Sequence, residues 1–181
     1  MRLSKEDAML LTRGIKGMPH IEVQNKETTM KKTYCFDDVL LTPRYSEIES
    51  RSEVSLRSHL KGEDFLELPI ISSPMDTVTE INMCETMDQL GGLGVLHRYN
   101  TIAEQCQLVR EMKKKNSRSR IAAAIGMTGD FFKRAVSLVD AGANILCLDV
   151  AHGHHRMMKR ALEKLRSEFG EEIHLMAGNV A

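Results

Sequence analysis

Residues 120–150 read RIAAAIGMTGDFFKRAVSLVDAGANILCLDV and contain a strand, a helix and a second strand. The flanking runs, RIAAAIG (120–126) and NILCLDV (144–150), are apolar with little polar alternation, as in parallel strands covered on both faces. Between them, apolar residues recur at three- and four-residue steps, the spacing of an amphipathic helix. This apolar stripe consists of Phe131, Ala135, Leu138 and Val139. The stretch therefore predicts a strand–helix–strand crossover in an α/β fold.

The same unit recurs on both sides of this stretch. Further strand candidates are LPIISS (68–73), LGVLH (93–97) and IHLMAGN (173–179), and further helix candidates are TEINMCETMDQL (79–90), TIAEQCQLVREMKKK (101–115) and HHRMMKRALEKLRSEFG (154–170). Gly91, Gly142 and Gly170 stand where helices would end, as left-handed caps do. The alternation of strands and helices predicts right-handed crossovers between parallel strands.

Two architectures share this alternation, the doubly wound open sheet and the (β/α)8 TIM barrel. The dinucleotide fingerprint G-x-G-x-x-G of the open sheet is incomplete, because Gly92 and Gly94 keep its spacing but His97 occupies the third position. A phosphate-binding P-loop motif is also absent. Polar residues instead follow every predicted strand, at the end where barrel enzymes build their sites. We therefore predict a partial (β/α)8 barrel of about five parallel strands with helices.

The amino-acid composition argues against some classes of binding partner. Lysine plus arginine equals aspartate plus glutamate, 25 against 25, so no overall basic field would draw the chain to nucleic acid or to an anionic membrane. No run approaches the roughly 18 apolar residues of a membrane span, and the first residues lack the apolar segment of a secretory signal. The four cysteines form no CxxC pair, which is typical of reduced structural thiols. A cytoplasmic location is expected.

The first 29 residues differ in character from those that follow. They are mixed and polar, and they contain one short helix candidate that Ser4 and Asp7 open at capping-box spacing. The pattern changes at Met30, where MKKTYCFDDVLLTPRYS could itself begin a protein. We therefore divide the sequence into an N-terminal extension, residues 1–29, and one barrel domain, residues 30–181.

Five segments resemble, in order, the sequence of one enzyme family. They are FDDVLLTPRYSEIESRSEVSL, LPIISSPMDTVTE, GGLGVLHRYNTIAEQ, LDVAHGH and MAGNVA. From about Thr33 to its last residue, the chain resembles the inosine monophosphate (IMP) dehydrogenase and guanosine monophosphate (GMP) reductase family. The resemblance implies a barrel that binds a purine mononucleotide, IMP or GMP, and a nicotinamide cofactor, NAD or NADP, at the carboxyl ends of its strands. It also implies tetramers and, in the complete enzyme, a monovalent cation such as K+ whose site lies outside this chain.

By resemblance, the loop after the first strand of this pattern lies against the nucleotide. Ser73 and Met75 match positions that contact it, and Met75 would offer an adaptable apolar surface to the base or ribose. Asp76 would orient the loop by accepting hydrogen bonds. The alternative from the residues alone is that the serines only end the strand and that Asp76 with Thr77 caps the next helix.

Cofactor binding is expected after the last two predicted strands. Asp149 matches a position that accepts hydrogen bonds from the nicotinamide ribose, a role that suits a carboxylate facing a diol. Asn179 matches a residue whose amide reaches the ligands near the reacting centre, and an amide can both donate and accept. His152 and Gly153 would shape the cofactor loop. Aspartate and asparagine are also common as turn or cap residues after strands, and this structural alternative stays open.

The histidines of the chain also suggest ligands. His152, His154 and His155 resemble metal ligands at first sight, but no carboxylate or cysteine partner recurs at zinc-site spacing, so no metal site is predicted. His155 would then start the next helix. His97 and Arg98 are additional binding candidates, because a cation there would attract phosphate, although a solvated strand end explains the pair almost as well.

The motif that carries the family's catalytic cysteine does not occur in this sequence. By resemblance, that cysteine lies in a loop after the sixth strand, and Cys35, Cys84, Cys106 and Cys147 all lie elsewhere. We therefore predict that none of them is a catalytic nucleophile and that the chain alone does not turn over. The chain would be an incomplete enzyme that associates with its missing half. The alternative is a non-catalytic nucleotide-binding or regulatory module.

The residues divide between the two activities of the family. SSPMDTVTE is closer to the dehydrogenase, which oxidises IMP to xanthosine monophosphate with NAD, whereas LHRY and DVAHGH also occur in reductases, which deaminate GMP to IMP with NADPH. Most dehydrogenases insert paired regulatory modules after the second helix, but here Lys115 runs almost straight into the strand at Arg120. That absence suits a reductase or a compact dehydrogenase. The first loop makes the dehydrogenase the preferred hypothesis.

Overall fold

The computed structural model describes residues 32–62, 64–116 and 120–179. The predicted N-terminal extension and its helix candidate lie outside the described residues, and the predicted boundary at Met30 stays a prediction. The chain divides into two compact units after Glu47. In the described part of the first unit, Phe36–Asp38 forms a single 3-10 turn, and Asp38 Oδ2 accepts hydrogen bonds from the backbone and the thiol of Cys35 at 2.9 and 3.2 Å.

The second unit contains a small hairpin followed by a five-stranded parallel sheet. The hairpin consists of β1 Ser58–Lys61 and β2 Asp64–Leu66, and the parallel strands are β3 Ile71–Ser72, β4 Leu93–Leu96, β5 Ala122–Ile125, β6 Ile145–Asp149 and β7 His174–Gly178. The helices between the parallel strands are α1 Ile81–Gln89, α2 Ile102–Lys115, α3 Phe131–Ala141 and α4 Arg156–Phe169. All five strands and four helices of the predicted alternation are therefore present.

The strand order distinguishes the two architectures that the sequence left possible. Each parallel strand pairs with the next one along the chain, in the order β3-β4-β5-β6-β7. A doubly wound sheet would place later strands on the far side of the first one. The sheet instead always grows in the same direction, as it does in a (β/α)8 barrel. The described residues form half of such a barrel, which confirms the predicted fold class.

Apolar side chains cover both faces of the sheet. Leu96, Ile125 and Leu148 belong to a core that the helices complete with residues such as Val109 and Leu165. Their neighbours with opposite parity form a second core on the inner face of the half-barrel. This inner core consists of Leu66, Leu93, Val95, Ala122, Ala124, Ile145 and Cys147. Because neither face of the central strands meets water, the sequence shows continuous apolar runs instead of alternation.

The hairpin β1–β2 is an element that the apolar pattern did not predict. Leu66 joins the inner core. Arg120, which lies just before β5, donates from Nη2 to Phe65 O at 2.6 Å and from Nε to Asp64 Oδ1 at 3.1 Å. These contacts hold the hairpin to the inner face near the amino-terminal ends of the strands. The strands are too short to carry a readable alternation, so only the turn at Gly62, whose φ is 56°, signals them in the sequence.

Strand β3 is shorter than predicted, with two residues instead of the six in LPIISS. It lies at one edge of the sheet and pairs only with β4. Before it, Leu68 N donates to Gly91 O at 3.1 Å, and Ile70 O accepts from Leu93 N at 3.1 Å, in an irregular extension of the ladder. The segment follows the predicted path, but only Ile71 and Ser72 pair in regular register, with Leu93 and Gly94.

Two of the three expected glycine caps are confirmed, whereas Gly170 has φ 57° but ψ −141°, outside the left-handed helical region. Gly142 follows α3 with φ 113° and donates to Val139 O at 2.9 Å, and Gly91 follows α1 with φ 81°. A positive φ is strained for residues with a Cβ atom, so glycine is required at both positions. Among the described residues, no helix has the length and apolarity that crossing a bilayer would demand.

We predict that Gly94→Ala destabilises the domain by about 1–3 kcal/mol, because it overpacks the contact between β4 and α1. A Cβ atom at Gly94 would lie 2.6 Å from Cys84 Cα and 2.9 Å from Cys84 Sγ. The measurement is the free energy of unfolding in urea. Gly126→Ala is the matched control, since its Cβ atom would meet nothing closer than 3.9 Å. Equal stabilities for the two variants would contradict the close approach of α1 to β4.

Candidate functional site

The loops that follow the parallel strands all lie at one edge of the sheet, because parallel strands end at the same edge. We call this edge the rim. It comprises residues 73–80, 97–101, 126–130 and 150–155, together with Asn179. Every candidate binding residue from the sequence lies on the rim or in the last residue of a strand that leads to it. These residues are Ser73, Met75, His97, Arg98, Asp149, His152, Gly153 and Asn179.

Backbone hydrogen bonds join the loops after β6 and β7. Val150 N donates to Gly178 O at 2.9 Å, and Asn179 N donates to Val150 O at 2.8 Å, so the parallel ladder continues past Asp149. Gly153 N then donates to Asn179 O at 2.6 Å. A Cβ atom at Gly153 would also lie 2.6 Å from Asn179 O, so only glycine permits this approach. The geometry brings four candidate residues together at the ends of two neighbouring strands.

The side chains at this end of the rim are accessible. Asp149 is half-buried, whereas His152 and Asn179 are exposed and Gly153 is buried beneath them. A carboxylate and an amide that both face solvent can accept hydrogen bonds from a hydroxyl-rich ligand, and the amide can also donate. The chemistry of this group therefore suits a sugar or a nucleotide.

The next helix begins at His155, as the sequence predicted. His155 Nδ1 accepts a hydrogen bond from Met157 N at 3.0 Å and so caps α4. The rings of His152 and His154 lie 6.5 Å apart. Among residues 32–62, 64–116 and 120–179, no group of three histidine, cysteine, aspartate or glutamate side chains could hold a metal ion.

A buried threonine organises the loop after β3. Thr79 is fully buried, and its Oγ1 lies 2.9 Å from Ser72 Oγ and 2.6 Å from Ser73 O. Its backbone N donates to Met75 O at 2.9 Å. These contacts fold the loop into a compact turn that leaves Ser73 exposed and Met75 49% exposed. Both candidate nucleotide contacts are therefore free to meet a ligand.

Two predictions that the sequence suggested for this loop were wrong. Asp76 and Thr77 do not cap α1, because Glu80 occupies the N-cap position and makes no side-chain cap bond. Asp76 does not orient the loop either, since it makes no side-chain hydrogen bond within the described part of the chain. Thr79 performs that role. Its position four residues after Met75, at the start of the predicted helix, was the available signal, but its burial could not be read from the sequence.

The loop after β4 is built around a buried histidine. His97 is 4% exposed, its Nδ1 accepts a hydrogen bond from Tyr99 N at 3.1 Å, and its Nε2 lies 3.5 Å from Glu80 Oε1. The guanidinium of Arg98 lies 5.6 Å from the centroid of the Tyr99 ring. The interpretation of His97 as part of a solvated strand end is therefore wrong, because the loop folds back over its side chain.

Two polar residues that contact this loop were missed by the sequence analysis. Gln105 in α2 and Arg134 in α3 are both buried. Each stands beside apolar residues of its helix, Cys106 for the first and Ala135 for the second. A polar residue next to the core stripe of a helix was the only signal, and such residues are usually solvated at the edge of the stripe.

The buried cysteines are poor nucleophiles. Burial, with a smaller contribution from the Glu85 carboxylate, raises the pKa of Cys84 to about 12. Burial, with a smaller contribution from Asp149, raises the pKa of Cys147 to about 11. Burial also raises the pKa of Cys106, against the opposing effect of Arg110 and Arg134. A reactive cysteine needs a lowered pKa, so these thiols have the properties of structural residues.

A shallow groove of about 450 Å³ lies at one end of the rim, between the loop after β3 and α1. Its lining includes Asp76, Glu80, Asn82 and Thr86, but none of the candidate binding residues. The groove therefore adjoins the candidate residues Ser73 and Met75 without including them.

Comparison with known proteins identifies relatives of the chain. Residues 33–181 match the sequence profile of the IMP dehydrogenase / GMP reductase domain. The inosine-5'-monophosphate dehydrogenase of Cryptosporidium parvum is 33% identical over 82% of this chain and 46% of the relative. The GMP reductase of Leishmania donovani is 42% identical over 49% of this chain and 18% of the relative. The GMP reductase of Aliivibrio fischeri is 29% identical over 80% of this chain and 43% of the relative. The matched chain spans less than half the length of each of these relatives.

We predict that Gly153→Ala separates the loops after β6 and β7, because the new Cβ atom cannot lie 2.6 Å from Asn179 O. The amide protons of residue 153 and Asn179 should exchange with solvent at least about tenfold faster, which corresponds to the loss of one hydrogen bond. Native-state hydrogen exchange by NMR is the measurement, and the neighbouring exposed His154→Ala is the control. Unchanged protection in Gly153→Ala would contradict the backbone junction.

We also predict that a thiol reagent labels only Cys35 rapidly in the native chain at pH 7.5, because Cys35 is exposed and the other three cysteines are buried. Cys35→Ser should abolish the rapid reaction. Rapid labelling of a second cysteine in the native state would refute the assignment of buried, protonated thiols.

The pKa of the Cys84 thiol is 9.0 in the unfolded chain and about 12 in the fold. Raising the pH between these two values should therefore favour unfolding.

Proposed function

The chain belongs to the IMP dehydrogenase / GMP reductase family, and from this premise we propose that its rim binds a purine mononucleotide together with a nicotinamide cofactor. The observation that carries the proposal is the backbone junction between the loops after β6 and β7. It places Asp149, Gly153 and Asn179 at adjoining strand ends on the same rim as Ser73 and Met75. Two ligands that must meet for hydride transfer require such a shared edge.

Each candidate residue has a role that fits its chemistry. Asp149 accepts hydrogen bonds from the ribose hydroxyls of the cofactor, where a carboxylate is stronger than a neutral acceptor. Asn179 donates and accepts between the two ligands. Ser73 contributes a hydroxyl, and the exposed Met75 gives the nucleotide a polarizable apolar surface. His152 and Gly153 shape the cofactor loop, while the guanidinium of Arg98, beside the buried His97, supplies a cation for phosphate.

We favour oxidation of IMP to xanthosine monophosphate with NAD as the activity of the complete enzyme. The segment SSPMDTVTE supports this assignment, as does the Cryptosporidium parvum relative, which covers most of the chain. Reductive deamination of GMP with NADPH is the second candidate. LHRY, DVAHGH, the short connection from Lys115 to Arg120 and the two reductase relatives favour it.

We propose that this chain binds nucleotide without turning it over. Its four cysteines lie outside the family's catalytic motif, and three of them have raised pKa values. Oxidation of IMP through a covalent intermediate needs a thiolate nucleophile. Turnover would then need the part of the barrel that carries the family's cysteine loop and the K+ site. A regulatory nucleotide-binding module is the alternative. A cytoplasmic location and assembly into tetramers stay predictions.

The test is calorimetric titration of the chain with IMP, GMP, NAD and NADPH, each separately and then in pairs. We expect NAD to bind, and we expect Asp149→Asn to weaken that binding by about tenfold or more through the loss of a charge-assisted acceptor. Asp140→Asn is the matched control, because Asp140 is an exposed carboxylate near the opposite end of α3 from the rim.

The same chain is then mixed with IMP plus NAD, or with GMP plus NADPH, and the nicotinamide absorbance is followed. Binding without an absorbance change is the expected result. Preference for GMP and NADPH in the titrations would overturn the dehydrogenase assignment in favour of the reductase. Failure to bind any of the four compounds would overturn the proposed binding function, and turnover by the chain alone would overturn the proposed lack of activity.

A further inference from the structure

A buried polar pair crosses the helical layer behind the rim. Gln105 in α2 is fully buried, and Arg134 in α3 is 9% exposed. Arg134 Nη1 donates to Gln105 Oε1 at 2.8 Å. The nearest carboxylate, Asp130, lies 3.5 Å from Arg134 and is mostly exposed. The guanidinium of Arg134 is thus buried among apolar residues, and its acceptors are chiefly neutral. Burying a charged group in this way costs free energy of desolvation, so the pair needs an explanation other than stability.

Two further nitrogen atoms of the pair donate to backbone carbonyls near the rim. Gln105 Nε2 donates to His97 O and to Ala124 O, each at 2.9 Å. Arg134 Nη2 donates to Asn100 O at 3.1 Å. We call residues 97–100 the His97 loop. Its first and last carbonyls are therefore fixed from behind, and the same glutamine ties the loop to β5.

The backbone carbonyls of the His97 loop are hydrogen-bonded, but some of its side-chain polar atoms are not. Within the described part of the chain, Arg98 Nε and Asn100 Oδ1 are buried atoms without a hydrogen-bond partner, and His97 Nε2 has only the Glu80 carboxylate, 3.5 Å away. Buried polar atoms without partners are costly and rare, and two of them within three residues mark a place where a ligand can complete the bonding. The loop has a fixed backbone and unsatisfied side chains, which is the combination that a preorganised binding loop requires.

We propose that Gln105 and Arg134 are positioning residues that preorganise the His97 loop for the proposed nucleotide or cofactor. The inference rests on the proposed function and assigns to it two residues that touch no ligand. A pair kept only for stability would be replaceable by packed apolar side chains, because burying a charge seldom stabilises a fold. The positioning role instead predicts that loop order and ligand affinity depend on the donors of Gln105.

The order of the loop can be measured without a ligand. The chain contains no tryptophan, so Tyr99→Trp places a single indole in the His97 loop, at a side chain that is 63% exposed. Time-resolved fluorescence anisotropy then reports local motion of the loop. All variants are built on this parent, whose affinities for IMP and NAD are first compared with those of the natural sequence.

The decisive variant is Gln105→Glu. It keeps an acceptor for Arg134 and adds an ion pair, but it removes both hydrogen bonds to His97 O and Ala124 O. We expect the indole to gain mobility and binding of IMP or NAD to weaken by about tenfold. Gln107→Glu is the matched control, because Gln107 lies on the exposed face of the same helix. Arg134→Lys should loosen the loop as well, since an ammonium cannot make both bonds of the guanidinium fork.

The outcomes separate the inference from the function on which it rests. Unchanged loop motion in Gln105→Glu would overturn the inference, and so would increased motion with unchanged affinity for both compounds. If the natural sequence binds neither IMP nor NAD, the proposed function fails and the inference fails with it. If the natural sequence binds IMP or NAD but Gln105→Glu has the same loop motion or the same affinities as its parent, only the inference is overturned.

Discussion

The need to bury both faces of every central strand determines the rest of this structure. Apolar residues of one parity contact the helices, and those of the other parity form the inner core beneath the hairpin β1–β2. A strand buried on both faces has no room for polar side chains along its length. Polar residues can therefore appear only where a strand ends. Because parallel strands end at one edge, the constraint that builds the core also gathers the polar side chains on the rim.

The same constraint explains how much of the fold could be predicted from the sequence. Continuous apolar runs and helical stripes were sufficient to predict β4 to β7 and the helices between them, and the strand-end residues predicted the rim. The hairpin β1–β2 was not predicted, because its strands of four and three residues are too short to show an alternating apolar pattern. The residues Ser73, Asp149 and Asn179 were placed on the correct edge because their position follows from strand direction alone. Their contacts with ligands stay predictions.

What the sequence could not give are the interactions that hold the rim loops in place. Thr79, Gln105 and Arg134 act through burial and through hydrogen bonds to distant backbone atoms. The partners of Gln105 include Ala124, which is 19 residues away along the chain. No local pattern encodes such a contact, since a polar residue beside an apolar stripe is usually solvated. Asp76 was the natural but wrong choice for the first loop, because aspartate is the commoner loop-ordering residue in sequences.

Three loops of the rim are held in place in the same way. In each, the backbone is held by groups behind or beside it: a threonine hydroxyl after β3, a glutamine–arginine pair after β4, and a direct carbonyl contact at Gly153 after β6. None of these contacts uses a side chain that would touch a ligand. The side chains at the rim can therefore vary in chemistry without loss of loop position, because fixation and recognition use different atoms. That separation is how one barrel scaffold can keep its geometry while the substrate and cofactor change.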